Sequence, residues 1–434
     1  MISSIIFCFL FFISILLFTY NLRKIIRNIG LGKSKDRSDH IYKRIGILLR
    51  AGMGQSKMFD KPIVGILHFL IYLGFIIINI EVIEIIIDGI FNQHRTFAIF
   101  GNLYTVLINS FEILAVLVII SCVIFLIRRN FLQIKRLRHI DLKGWPKNDG
   151  NFILIFEILL MSAFLIMNAN DLLLQKLENP NYIDTDSFLI SSYLVPIFSY
   201  FDEATCILIE RFCWWFHILG IFAFLNYLVI SKHLHIILGF PNIYFSKLDK
   251  LGKIDNNHNV TNEVRLMMGD PDVVSESNQA NSERFGAKDV ADLSWIQLLN
   301  AYSCTECGRC TSECPANQTG KLLSPRKIMM QTRKRLVEVG KNIDSHGLEY
   351  NDNKSLLRDY IKEEEIWACT TCNACVEACP LNIDPLSIII DLRRYLVMEE
   401  SAAPTELNLM FNNIENNGAP WQFSINDRLN WKNE

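Results

Sequence analysis

Five long apolar runs, separated by polar stretches, fill the first 240 residues: 2–20, 63–87, 103–127, 151–174 and 206–236. Each is long enough for a helix to cross about 30 Å of hydrocarbon. The first has no basic residue ahead of it and no small-residue cleavage site behind it, so it reads as a retained transmembrane helix and not a signal peptide. Five crossings put the two termini on opposite sides. Basic residues crowd the loop from Arg23 to Lys61 and the loop from Arg128 to Lys147, whereas the stretch before the fifth run carries Glu178, Asp184, Asp186, Asp202 and Glu203 against Lys176. The positive-inside rule places both basic loops in the cytoplasm of a cell (inner) membrane protein, with the N-terminus outside.

Beyond Gly239 and Pro241 the pattern changes. Residues 250–290 are rich in Asn, Ser, Asp and Gly, which reads as a linker with one short helix near 261–268. A short helix from Asp292 leads into Cys304. Ser324-Pro325 is an N-cap followed by proline at the first helical position, opening a basic helix with Arg326, Lys327, Arg333, Lys334 and Arg335 that reads as a solvated face or, alternatively, a docking face for an acidic partner. Helices near 353–365 and 384–399 follow, and the tail after Ser401 is polar. The expected fold is all-α: a five-helix transmembrane bundle (1–240), a linker (241–290), a cytoplasmic helical module (291–400) and a polar tail (401–434).

The chemistry of that module is carried by cysteines. Cys304-Thr-Glu-Cys307-Gly-Arg-Cys310-Thr-Ser-Glu-Cys314-Pro315 recurs as Cys369-Thr-Thr-Cys372-Asn-Ala-Cys375-Val-Glu-Ala-Cys379-Pro380. Each run has the C-x2-C-x2-C-x3-C-P spacing of ferredoxin-type cubane clusters, in which three thiolates wrap one cube and the fourth serves the other. This assigns Cys304, Cys307, Cys310 and Cys379 to one 4Fe-4S cluster, and Cys369, Cys372, Cys375 and Cys314 to the second. Structural zinc sites pair C-x2-C halves at a distance and have no use for a third Cys three residues on. Of the 12 Cys, the remaining Cys8, Cys122, Cys206 and Cys213 lie in apolar runs and read as packing residues.

Histidines inside apolar runs are expensive and mark candidate sites. His68 lies about two turns into the second run. The fifth carries His217, His233 and His235; the eighteen residues from His217 to His235 make five helical turns, which places these two on one face about 27 Å apart, with His233 rotated away. His68 and His235 fall at one cytoplasmic depth, where imidazoles from facing helices can hold one b-type haem. His217 has no partner in the second helix and reads as a hydrogen-bonded core residue or a quinone contact. The other reading of His68, His233 and His235 is polar and interfacial. His40, His94, His139, His258 and His346 lie in polar loops and read as solvated. Glu112, deep in the third run, reads as a solvated or paired structural carboxylate, with a proton path as the alternative.

Composition narrows the class. At 434 residues with 50% hydrophobic and 20% charged residues, the chain is too apolar for an ordinary soluble enzyme. A net charge of -2, with basic residues confined to particular loops, gives no sign of nucleic-acid binding. No glycine-rich dinucleotide or phosphate loop is visible, which argues against a self-sufficient flavin or nicotinamide enzyme.

Gly65-Ile-Leu-His68-Phe, His217 and Ser231-Lys-His-Leu-His235 on five helices resemble the haem b (gamma) subunit of respiratory nitrate reductases. Phe285-Gly-Ala287, the Cys304 motif, Cys314-Pro-Ala and Gly320-Lys-Leu-Leu-Ser-Pro325 resemble membrane-bound iron-sulfur oxidoreductases related to heterodisulfide reductase. The resemblance implies electron transfer between a soluble carrier, such as electron-transfer flavoprotein, and the quinone pool. It departs at two points: nitrate reductase subunits hold two haems, and longer relatives continue into a Cys-Cys-Gly domain. The expectation is therefore a membrane-anchored electron-transfer subunit with two 4Fe-4S clusters and one haem b, working with lipid, a quinone and a separate Cys-Cys-Gly-type or flavoprotein redox subunit. The rival readings are a haem-free, membrane-tethered dicluster ferredoxin and a non-enzymatic iron-sulfur redox sensor.

Overall fold

The computed structural model describes residues 2–132, 134–185, 188–270 and 284–433. Residues 271–283 of the expected linker and Asp186 of the acidic loop lie outside them. Among the described residues the chain is helical, with no β-strand.

Five helices are long and apolar enough to cross a membrane: α1 (Ile2–Ile29), α2 (Pro62–Phe91), α3 (Asn102–Asn130), α4 (Trp145–Lys176) and α5 (Glu203–Leu228). Each of α2 to α5 packs on its neighbour in sequence, and α1 closes the ring between α2 and α5. Phe7, Ile108, Phe111, Phe164 and Ile218 fill the interior. Gly89 is required where α1 crosses α2, because a Cβ there would lie 2.6 Å from the Phe7 ring. Outward, Phe9, Phe12 and Leu16 of α1 are 61–67% exposed, an apolar face of the kind a bilayer covers.

The fifth helix is shorter than its apolar run. It ends at Leu228; a 3-10 turn (Lys232–Leu234) and a separate helix, α6 (His235–Tyr244), follow. The break has a local cause. Asp149 of α4 accepts from Tyr227 Oη, Ser231 Oγ and the Lys232 N–H, while Ser231 Oγ accepts from His233 N. These bonds hold Ser231 extended and divert the chain. His217 and His235 therefore do not share one straight helix.

At the bundle end farther from α6, Arg95 is buried against Asp171 (2.9 Å) and Asn168 (2.6 Å), and His94 lies 3.2 Å from Asp171, so His94 is not simply solvated. His139 likewise pairs with Asp141 at 3.0 Å. Glu112 accepts from Asn168 and from the backbone N–H groups of Ile190 and Ser191, which makes it a helix-linking acceptor. Arg211 pairs with Glu210.

The cysteine half is built on α7 (Trp295–Ser303), α8 (Pro325–His346) and α9 (Pro385–Met398). Ser294 and Gln297 form a reciprocal cap on α7, Ser324 accepts from Lys327 N at the start of α8, and Asp384 accepts from Ser387 N at the start of α9. Leu298, Leu336, Ile388 and Leu392 meet in the core at 0% exposure. Phe285-Gly-Ala287 lies flat on α9, where a Cβ at Gly286 would sit 2.2 Å from Tyr395 N. The helix expected at 353–365 is instead an irregular turn at Leu356–Tyr360, with Arg358 at φ 74°, followed by a short helix Glu363–Trp367. The tail is ordered into a helix at Thr405–Asn417.

The basic face of α8 is also not solvated throughout. Arg335 is buried between Asp289 (2.7 Å) and Asp352 (2.6 Å), and Arg326 is fully buried against the α3–α4 loop. Periodicity alone places such residues outside; their acceptors come from elsewhere in the chain. Finally, α1 continues past its apolar run, and its last turns dock on α7 and α8: Asn28 donates to Tyr302 Oη at 3.0 Å, and Arg27 reaches the Gly340 carbonyl and Asp344.

Candidate functional site

The two cysteine runs fold alike. In each, the residues two and four places after the first Cys lie in the left-handed region: Glu306 (φ 57°) and Gly308 (φ 74°), then Thr371 (φ 56°) and Asn373 (φ 62°). These reversals curl the loop so that three Cys face one side. A one-turn helix follows, Arg309–Ser312 or Ala374–Glu377, and then the last Cys and its proline. The two short helices pack on each other.

Cys304, Cys307, Cys310 and Cys379 line one cavity with about 390 Å3 of space between the atoms, and Cys314, Cys369, Cys372 and Cys375 line a second of about 320 Å3. Each cavity thus draws three Cys from one run and one from the other. Among the described residues no three His, Cys, Asp or Glu side chains converge as a single metal ion requires. The thiols stand around a volume instead, which is the donor arrangement a cubane needs. Burial pushes the thiol of Cys304 up to about 11 and that of Cys379 up to about 12, and raises Cys310 and Cys375 strongly. Loading must therefore displace protons, as thiolate ligation does generally.

The surroundings differ. The Cys304 cavity faces the bundle: Arg309 and Arg326 line it, Arg136 donates to Cys307 O (3.3 Å) and Arg333 to Cys304 O (3.2 Å). Glu306, in the loop itself, is buried between Arg333 and Lys232 (2.7 Å). Burial alone would raise its carboxyl, but these two cations outweigh burial and hold it below the usual range. The Cys369 cavity opens outward at Thr370 and Cys372, both exposed, and its basic neighbour Arg393 donates to the carbonyls of Ile366 (2.6 Å) and Cys369.

The side facing the bundle leads to the histidines. Arg309 donates to Lys57 O (2.8 Å), Asn242 of α6 to Leu381 O (2.7 Å), and Ser303 to Leu238 O (3.2 Å). At the start of α6, His235 faces His68 of α2 with ring centroids 6.5 Å apart. Two imidazoles from facing helices at this separation could share one metal-centred group. His68 Nδ1 lies 3.0 Å from Gln55 Oε1, and His235 Nδ1 lies 3.0 Å from Lys232 O. Both Nδ1 atoms are thus engaged by oxygens, which orients the rings and leaves each Nε2 for a ligand. The donor pair fits a bis-imidazole haem.

His233, expected to point away, is brought to His235 by the 3-10 turn, with ring centroids 5.5 Å apart. His217 stands apart, 1% exposed, with Nδ1 3.0 Å from Leu160 O and its ring near Phe164. Sequence reasoning missed Gln55, Glu306 and Arg309 as neighbours of these sites. Only the position of Glu306 and Arg309 inside the Cys motif could have signalled them.

Residues 303–383 match the family described as 4Fe-4S dicluster domain. That stretch of the cysteine half is a 4Fe-4S dicluster domain. The whole chain is similar to iron-sulfur oxidoreductases: it is 29% identical to a probable iron-sulfur-binding oxidoreductase, FadF, of Bacillus subtilis, over 97% of this chain and 59% of that protein. It is 27% identical to the EtfAB:quinone oxidoreductase of Syntrophomonas wolfei, over 92% of this chain and 55% of that one. A probable membrane-anchored ferredoxin of Chromohalobacter salexigens is 35% identical over 34% of this chain and 24% of its own length. The chain thus spans little more than half the length of the first two relatives. No solved structure matches.

Proposed function

We propose that this chain is the membrane-anchored electron-transfer part of an oxidoreductase, passing single electrons between a cytoplasmic redox partner and the quinone pool. Cys304, Cys307, Cys310 and Cys379 hold one 4Fe-4S cluster, and Cys314, Cys369, Cys372 and Cys375 hold the other. His68 and His235 would hold one haem b, and His233 packs beside them. When bound, these groups supply one-electron carriers; the chain's own residues fix their spacing and surroundings. Exposed Thr370 and Cys372 mark the face open to a soluble partner, and α2 and α6 carry the route into the bundle.

The reading is carried by one observation: two four-cysteine cavities, one of them facing the His68–His235 pair through Arg309, α6 and α7. The named activity of the Syntrophomonas relative supports the quinone. An electron-transfer flavoprotein-like carrier or a Cys-Cys-Gly-type subunit is the partner chemistry in keeping with the relatives. The segregation of basic loops supports a cytoplasmic dicluster domain with the N-terminus outside. The nitrate reductase-like bundle rests on the helix layout and on His68, His217 and His235.

The test is anaerobic purification in mild detergent, with iron and acid-labile sulfide counted and reduced-minus-oxidised spectra taken for wild type and His68→Ala. About eight non-haem irons and a b-type band lost in the variant are expected. Eight irons with no such band in wild type leaves a tethered dicluster ferredoxin and removes the haem from the proposal.

A further inference from the structure

Arg326 is 0% exposed, and its Nε–H finds no acceptor among the described residues. Its other two nitrogens each have a partner: Nη1 donates to Arg136 O at 2.9 Å, and Nη2 lies 3.3 Å from Asp141 Oδ2. Leaving a buried donor unpaired costs stability. The same side chain lines the Cys304 cavity. A group with acceptor atoms inside that cavity would give the Nε–H its partner.

The charges around the two cavities also differ. Near the Cys304 cavity stand Arg136, Arg309, Arg326, Arg333 and Lys232, and the acids among them are already engaged: Glu306 by Arg333 and Lys232, Asp141 by Arg326. Near the Cys369 cavity, Arg393 is turned to backbone carbonyls and Asp384 lies close to Cys375. Added positive charge and N–H donors favour the more negative, reduced state of a cluster, and solvent exposure changes it further.

We infer that Arg326 donates from Nε to the cluster held by Cys304, Cys307, Cys310 and Cys379, and that the arginines around this cavity make it the higher-potential cluster of the two. The inference rests on the ligation proposed above. An electron received at the exposed Cys369 side then moves downhill toward the cluster nearest the histidines. Arg326 acts as a positioning and tuning residue, and it also explains Gly308: a Cβ there would lie 2.5 Å from Arg326 Nη1.

The experiment is an anaerobic redox titration of the full chain in detergent, read by electron paramagnetic resonance, on wild type, Arg326→Lys, Arg326→Gln and Cys372→Ser. Cys372→Ser identifies the outer cluster's signal and should alter the lower-potential one. Arg326→Gln should lower the other midpoint, so that the reduced-to-oxidised ratio at fixed potential falls about tenfold, or 59 mV for one electron. Arg326→Lys, which keeps the charge and loses the Nε donor, should shift it less. If Cys372→Ser alters the higher-potential signal, or Arg326→Gln moves neither midpoint, the inference is wrong while the ligation stands. Wild type with far fewer than about eight irons overturns the ligation itself. Should Arg326→Gln not accumulate, Arg326→Lys and the order of the wild-type midpoints decide.

Discussion

The loops at 304–310 and 369–375 share their spacing, their two left-handed residues, the one-turn helix behind them and the proline that ends each run. Around the first, arginines, Lys232 and Glu306 seal the loop against the bundle; around the second, Thr370 and Cys372 stand in the open. A local motif therefore sets how four thiols are presented, and contacts from distant segments decide what environment those thiols share. In Gly308 and Asn373 the contrast reaches a single position. Both residues have positive φ, but only the first is pressed against a buried guanidinium.

The hardest test of this contrast is to remove one thiol from each side. Cys310→Ser is expected to bring iron from about eight to about four per chain and to lower the unfolding temperature of the detergent-solubilised protein. Cys372→Ser, at an exposed ligand position, should lose less iron and leave that temperature nearly unchanged. Equal losses from both would break the comparison. Iron release to a chelator should likewise be biphasic in wild type, with the faster half released faster still in Cys372→Ser and the slower half missing from Cys310→Ser.

A smaller effect is expected at the seal. Glu306→Gln leaves the half-buried Lys232 and Arg333 without their carboxylate, a loss of about 2 kcal/mol in unfolding free energy. The double variant Glu306→Gln/Lys232→Met should recover part of it. Gly308→Ala meets both positive φ and Arg326 and should cost about 2 kcal/mol, whereas Asn373→Gly should be close to neutral. At the small end, Thr370→Ala should stay within about 0.5 kcal/mol of wild type. A change above 1 kcal/mol there would mean that the outer loop is supported more firmly than its exposure implies.

Much of this was legible along the chain. Apolar runs located the five long helices because a span must be apolar over its whole length, and the repeated C-x2-C-x2-C-x3-C-P run pointed to the dicluster domain because its geometry is local. The end of α5 was not legible: Asp149, some eighty residues earlier, captures Ser231 and Lys232 and overrides a run that is apolar enough to continue. That break is what brings His233 beside His235. Arg326 and Arg335 were misplaced on a solvated face because their acceptors, Asp141, Asp289 and Asp352, lie in other segments. Gln55 gave no signal at all, since nothing in its neighbours marks it as the residue that orients His68.

The unbroken run of α1 from its apolar turns to Asn28 carries a kinetic consequence. At about 1.5 Å per residue its 28 residues reach about 42 Å, so one rigid rod is seated in the bundle at Phe7 and clamped to α7 and α8 at its other end. Swinging the dicluster domain would require bending this rod or pulling Asn28 and Arg27 off their partners. Under the function proposed above, the gap between the inner cysteine cavity and the histidines would stay constant while electrons pass. Throughput in that proposal would vary with how often a donor arrives and leaves, and viscosity should slow that encounter without slowing the transfer inside the chain.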